Sequence, residues 1–214
     1  MKKGKFIVFE GIDGCGKTTQ LELVADYLET RGIEVIRTRE PGGDEIAEKI
    51  RRIILDPDNT KLCSKSEVLL YLASRAQHVF TLIKPAVESG KTVLCDRFDL
   101  ATFAYQGYGR GFEVERLKEF NKFAADSISP DLTLIFDISV EEARSRMERS
   151  GKTADRMEQS AKDFFQRVRH GFLDLSKESK GSVVVDASYD LDKVFEVVSG
   201  HINANFEIKT GSEC

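Results

Sequence analysis

Eight residues near the start of the chain have the types and spacing to hold phosphate. Gly11-Ile12-Asp13-Gly14-Cys15-Gly16-Lys17-Thr18 follows the pattern G-x-x-x-x-G-K-[ST]. Glycines let such a loop turn so that successive backbone N–H groups point inward, and the N-terminus of a following helix adds partial positive charge. In this pattern the lysine reaches the β- and γ-phosphates of a nucleotide and the hydroxyl ligates Mg²⁺. The pattern needs a strand before it and a helix after it. Phe6-Ile7-Val8-Phe9 is a short apolar run ahead of the loop, and Leu21, Val24 and Leu28 recur at helical spacing behind it. The alternative is a Gly-rich turn that merely precedes a helix. Strand, motif and helix in the required order favour the phosphate loop. Between Gly11 and Lys17 there is no arginine, so further positive charge for a phosphoryl transfer has to come from elsewhere.

Two other places offer it. Asp96 and Arg97 directly follow the apolar run "TVLC". Asp96 is expected near the Mg²⁺, directly or through water, as a Walker-B-type carboxylate, or as a helix N-cap; the two roles are compatible. Arg97 is hard to place in a core, where an unpaired guanidinium is costly, and a phosphate partner would resolve it. Farther on, Ser139-Val140-Glu141-Glu142 fits a capping box and opens a helix carrying Arg144, Arg146 and Arg149. Gly151 interrupts it, Lys152, Asp155 and Arg156 follow, and Met157, Ala161, Phe164, Val168, Phe172 and Leu175 form the apolar stripe of the next helix. A basic, Gly-hinged segment at about 149–156 thus reads as a short mobile lid, against the alternative of a solvated helix face.

The elements that must position these groups alternate along the chain. Apolar runs at Phe6–Phe9, Val35-Ile36, "TVLCD" (92–96), "LTLIFD" (132–137) and "SVVVD" (182–186) read as strands. Helical patterns lie between them: one ends at Gly32, one carries the stripe Ile46, Ile50, Ile53 and Ile54, and one runs from Val68 to Val87 and ends near Gly90. Continuous apolar strands separated by helices predict an α/β fold, a five-stranded parallel sheet flanked by helices. Such sheets bind ligands at the carboxyl ends of their strands. Nearly every strand exit here is polar or charged: Gly11–Thr19, Thr38-Arg39-Glu40-Pro41, Asp96-Arg97 and Asp137. With no repeat, low-complexity tract or Pro-rich linker, residues 1–203 read as one domain and 204–214 as a polar tail.

Composition narrows the partners. The chain has 214 residues, 41% of them hydrophobic, and a formal net charge of −4. That charge argues against broad binding of nucleic acid or an anionic membrane. No apolar run nears the ~20 residues of a membrane span. The run after "MKKGK" ends at Glu10, too soon for a signal peptide. Cys15, Cys63, Cys95 and Cys214 lack C-x-x-C spacing, so neither a zinc site nor a disulfide framework is expected, and free thiols suit the cytoplasm.

The segments "FEGIDGCGKTT", "TREPGG", "LLYLASRAQH", "LCDRFDLATFAYQGYGRG", "PDLTLIFDISVEEARSRM", "DRMEQSAKDFF" and "VVDAS" occur in the order found in thymidylate kinases. The resemblance runs from about Phe6 to Ser188. It implies a P-loop kinase of the nucleoside monophosphate kinase superfamily that moves the γ-phosphate of ATP to dTMP, uses Mg²⁺ and works as a homodimer. By the same resemblance, Gly11 through Thr19 cradle the ATP phosphates, with Thr18 and Asp96 toward the metal. Arg146 packs over adenine, and Ala187 and Ser188 line the ATP side. Asp13 lies near the dTMP sugar and phosphate, and Arg51 and Arg97 grip that phosphate. Tyr71 stacks on thymine, and Arg75, Thr102 and Gln106 contact its polar edge. Tyr105 sits near the 2′ carbon, where it disfavours a ribose. Lys17, Arg97, Arg149 and Asp13 form the catalytic set, with Arg149, joined by Arg156, closing over the γ-phosphate as an arginine finger. The chain resembles relatives that carry this charge in the lid rather than in the loop. It departs from the common pattern at Tyr71, often Phe, at Ala101, often Ser, and at Phe98, often Tyr. Alternatives are a deoxynucleoside kinase, a kinase for another pyrimidine monophosphate, and a non-catalytic nucleotide-binding switch.

Overall fold

The computed structural model describes residues 3–150, 156–157 and 162–206. Five strands, β1 Phe6–Glu10, β2 Val35–Arg39, β3 Thr92–Asp96, β4 Leu132–Asp137 and β5 Ser182–Asp186, form one sheet in the order β2-β3-β1-β4-β5. Every neighbouring pair is parallel. The central strand β1 is buried along its whole length. Its side chains alternate between faces, as strand geometry requires. Ile7 and Phe9 join one apolar layer, while Phe6 and Val8 join the other.

Helices cover both faces. Leu21, Val24, Ala25 and Leu28 of α1 (Lys17–Glu29) lie in the first layer with Phe164, Val168, Phe172 and Leu175 of α8 (Lys162–Glu178). The second layer is closed by Val79, Ile83, Ala86 and Val87. These belong to a continuous helical stretch: α3 (Ser64–His78), a π-helical turn (Val79–Ile83) and α4 (Lys84–Glu88). The single helix expected over Val68–Val87 is thus longer and interrupted by a π turn. The remaining helices are α2 (Glu45–Leu55), α5 (Asp99–Thr102) leading into a second π segment (Phe103–Gly109), α6 (Val114–Ala124), α7 (Val140–Ser150) and α9 (Leu191–Phe206). Ser139 caps α7 as expected, its Oγ accepting from Glu142 N at 3.1 Å.

The helix expected at the isoleucine stripe forms as α2, with Ile54 buried and Ile46 and Ile53 51% and 47% exposed. The boundary expected at 203 falls inside α9, which continues to Phe206. Asn203 is buried and accepts a hydrogen bond from Tyr27 Oη at 2.7 Å, which ties the last turn to α1. Residues 207–214 of the expected tail lie outside the described residues.

Candidate active site

The phosphate loop joins β1 to α1. Gly14 sits at φ +83°, and a Cβ there would lie 2.3 Å from the Ala143 carbonyl oxygen, so only glycine fits. Lys17, the first residue of α1, is nearly buried and donates from Nζ to Ile12 O at 3.2 Å, with Asp13 Oδ1 at 3.9 Å. Thr18 Oγ1 donates to Asp96 Oδ2 at 2.6 Å, which brings the loop hydroxyl and the end of β3 together. Two hard oxygen donors facing a phosphate cradle fit Mg²⁺, which takes few protein ligands and keeps water and phosphate oxygens in its other positions.

Beside the loop lies a charged knot. Arg97 adopts φ +74°, a left-handed conformation uncommon for a residue carrying a Cβ. It directs Nη2 to Asp13 Oδ1 at 2.5 Å and to Tyr105 Oη at 3.2 Å, and Nη1 to Gly11 O at 3.1 Å. Tyr105 Oη in turn donates to Asp13 Oδ2 at 3.0 Å. Desolvation alone would raise the Asp13 carboxyl, but the Arg97 and Lys17 charges overcome it and hold it at about 2. The segment carrying Arg97 is anchored from below. Fully buried Glu10, the last residue of β1, accepts at Oε1 from Phe98 N (2.8 Å) and Ala101 N (3.1 Å). Its Oε2 has no partner among the described residues, and burial, partly offset by Arg97, pushes the carboxyl up to about 7.

A pocket opens next to this knot. Its walls include Arg51, Tyr71, Arg75, Thr102, Tyr105 and Gln106, the residues the resemblance assigned to dTMP. Arg75 is 2% exposed and strongly constrained. Nε donates to Glu40 Oε2 at 2.7 Å, Nη1 to Thr102 Oγ1 at 3.0 Å and Asn121 Oδ1 at 2.7 Å, and Nη2 to Phe98 O at 2.8 Å. Four of the five guanidinium N–H groups are thereby used, and one on Nη2 has no partner among the described residues. Buried His78 bridges the other Glu40 oxygen (3.1 Å) and Thr38 Oγ1 (2.8 Å). Gln106 Nε2 donates to Glu67 Oε1 at 3.1 Å. Asp13, Glu40, Arg51 and Arg97 line both this pocket and the cleft around the phosphate loop, so they mark the junction between the two.

At the far end of the cleft, Arg146 and Ala187 line the wall. Arg146 Nε and Arg149 Nη2 share Glu142 Oε1 at 3.0 and 3.3 Å, and Arg149 is mostly exposed. Ser188 lies beside the cleft with Oγ on Asp186 Oδ1 at 2.6 Å. Arg156 is elsewhere: Nε donates to Ile54 O at 2.7 Å and Nη2 to Glu67 Oε2 at 2.5 Å. It lies behind the pocket, against Met157, and does not line the ATP cleft to which the sequence assigned it, because a buried carboxylate and a carbonyl at the end of α2 hold it there. Gly151, Lys152, Asp155 and most of the expected lid lie outside the described residues.

Sequence reasoning set Glu40 at a strand exit without a role and missed Glu67, His78 and Tyr189, the last of which lines the cleft. A signal for two of them existed. Glu67, Tyr71, Arg75 and His78 are spaced by four, four and three residues, which sets them along one face of α3.

The thymidylate kinase family model matches residues 9–198. The thymidylate kinase of Pelotomaculum thermopropionicum is 51% identical over 187 residues, 87% of either chain. That of Exiguobacterium sibiricum is 47% identical over 192 residues, 89% of this chain and 90% of the relative. The crystal structure of thymidylate kinase from Ehrlichia chaffeensis superposes with a TM-score of 0.76 at 36% identity, covering 94% of this chain and 99% of the other. With the phosphate loop, the Arg97 knot and the Arg75 pocket side by side, and with these matches over most of its length, the chain belongs to the thymidylate kinase family.

Proposed function

We propose that the protein transfers the γ-phosphate of ATP to dTMP, giving dTDP and ADP in dTTP biosynthesis. The observation that carries this reading is the junction: Arg51, Arg97 and Asp13 line both the phosphate-loop cleft and the pocket that holds Arg75 and Gln106. An acceptor with its base in the pocket has its phosphate at that junction, in reach of the donor phosphates in the loop.

The transfer needs in-line positioning and neutralised charge rather than covalent catalysis. Lys17 leaves its resting bond to Ile12 O to reach the donor β- and γ-phosphates. Arg97 and Arg51 bind the acceptor phosphate, and Arg97 is kept in place by Asp13, Gly11 O and the Glu10 anchor. The acceptor phosphate is already an anion, so no general base is required. Thr18 and Asp96 are the groups that would hold Mg²⁺, which neutralises charge on the donor phosphates when bound. Arg149, exposed and held among the described residues by Glu142 and the Ser145 carbonyl, is the arginine finger in this reading. Arg146, Ala187 and Ser188 serve the adenine. Tyr71 offers a stacking face to thymine, and Tyr105, locked to Asp13, disfavours a 2′-hydroxyl.

The reading extends to a homodimer. Leu69 of α3 and Phe80 of the following π turn are 60% and 77% exposed, and Phe123 of neighbouring α6 is 90% exposed. Ile46 and Ile53 of adjoining α2 are also exposed, and an apolar surface of this kind suits a second copy. Among the described residues no helix is long and apolar enough to cross a membrane, and a cytoplasmic single-domain enzyme accords with that.

A coupled ADP-release assay with dTMP, dUMP, dCMP and UMP tests the activity. Turnover with dTMP far above the rest is expected. ATP binding without phosphorylation of any acceptor would favour a switch protein instead.

A further inference from the structure

The buried carboxylate of Glu67 has no part in the transfer described above, yet it faces the acceptor pocket from behind. It is 1% exposed and gathers three side chains. Gln106 Nε2 and Arg110 Nε reach Oε1 at 3.1 and 3.3 Å, and Arg156 Nη2 and Arg110 Nη2 reach Oε2 at 2.5 and 3.3 Å. We propose that Glu67 sets the base selectivity of the pocket by fixing the Gln106 amide with its carbonyl oxygen toward the ligand. The inference rests on the dTMP kinase reading and deepens it.

An ionised carboxylate only accepts hydrogen bonds, so a neighbouring amide must turn its NH₂ group toward it. Desolvation would raise the Glu67 carboxyl, but bonds from Arg156 and Gln106 and the Arg110 charge outweigh it and keep it below the usual carboxylate range. With Nε2 committed to Glu67, Oε1 of Gln106 is left for the pocket, which Gln106 lines and where it meets no partner among the described residues. Across the same pocket Arg75 can only donate, and one of its N–H groups has no partner among the described residues. The pocket therefore offers an acceptor and a donor side by side. Thymine and uracil present the complement, an N3–H donor beside the 4-carbonyl acceptor. Cytosine presents an N3 acceptor beside a 4-amino donor and is mismatched at both places. A site built to hydrogen-bond a substrate rejects an analogue that leaves its buried polar groups unpaired.

Replacing Glu67 by Gln keeps the shape but removes the constraint. The new side chain keeps its oxygen for the two arginines and turns its NH₂ toward Gln106, whose amide then flips and presents NH₂ to the base. The test measures kcat and KM for dTMP and dCMP with full-length wild type, E67Q, Q106L and the double variant, with melting temperatures alongside. In E67Q the ratio of kcat/KM for dTMP over dCMP should fall by about tenfold or more, chiefly through KM for dTMP. E67Q should add nothing in the Q106L background. Glu67→Asp, which keeps an acceptor-only carboxylate, should retain the preference and is the variant to read if E67Q does not fold. An unchanged ratio in folded E67Q, the same fall in the Q106L background, or loss of preference in E67D would each overturn the proposal. Failure of the wild type to phosphorylate dTMP would instead overturn the kinase reading on which it rests.

Discussion

Glu10 is the residue at which the structure makes a quantitative claim that chemistry can check. It is fully buried under the strand exit that carries Arg97, and its carboxyl is raised by desolvation from 4.5 to about 7, with Arg97 partly offsetting the rise. The folded chain thus binds this proton more tightly than the unfolded one. The resulting stabilisation is complete below 4.5, is lost as pH rises toward 7, and has levelled off above it. At about 1.4 kcal/mol per pH unit that interval corresponds to a loss of about 3 kcal/mol. Glu10→Gln removes the titration while its amide oxygen still accepts from Phe98 N and Ala101 N. Urea denaturation followed by circular dichroism suits the comparison, since the chain has no tryptophan. Between pH 5 and pH 8 the wild type should lose about 2–3 kcal/mol relative to Glu10→Gln. Burial pushes the Cys95 thiol well above its usual range, so it does not titrate over this interval, and Asp99, whose charge adds to the rise at Glu10, is raised by burial in both proteins. Stability curves that stay parallel over that range would refute the reasoning, because a group that costs nothing to ionise is not desolvated.

Lys17→Ala should lower kcat by at least ~10²-fold while a dTMP-displacement titration still shows acceptor binding; full turnover in this variant would sink the phosphoryl-transfer reading. Arg75→Ala leaves Glu40 buried without its cation and should destabilise the chain by about 3–5 kcal/mol in urea denaturation. Asp13 is held at about 2, against an ordinary 3.8, so its contribution is present above 3.8 and is lost as pH falls through 2. Asp13→Asn should accordingly be less stable than wild type by about 2 kcal/mol at pH 6, with the gap closing in acid melts toward pH 2. Gly14→Ala, whose methyl would meet the Ala143 carbonyl, should weaken ATP binding in equilibrium dialysis, and a variant that binds ATP normally would contradict the packing described for the loop.

Arg75 shows why part of the site is legible in the sequence. It lies in a stretch, "LLYLASR", that matches a family pattern, and so do the loop, Asp96-Arg97 and Tyr105-Gln106. These groups have the types and spacing that phosphate and base chemistry demands. The strands are legible for a similar reason: a parallel sheet buried on both faces demands continuous apolar runs, and β1, β3 and β4 have them. What holds those groups is not legible. Glu40, His78 and Glu67 read as ordinary polar residues of a strand exit and a helix, because a carboxylate on a helix is solvated far more often than buried. The packing of α3 against α2 and α6 buries them, which makes Glu40 the acceptor for Arg75 and His78, and Glu67 the acceptor for Gln106 and Arg156. Arg156 is the sharpest case. Its place in a basic run suggests a second cation for the γ-phosphate, yet tertiary structure gives it Glu67 and the Ile54 carbonyl, partners 89 and 102 residues away. Residue type and local spacing determined which groups can bind a nucleotide; long-range burial decided which charges are paired and which way each faces.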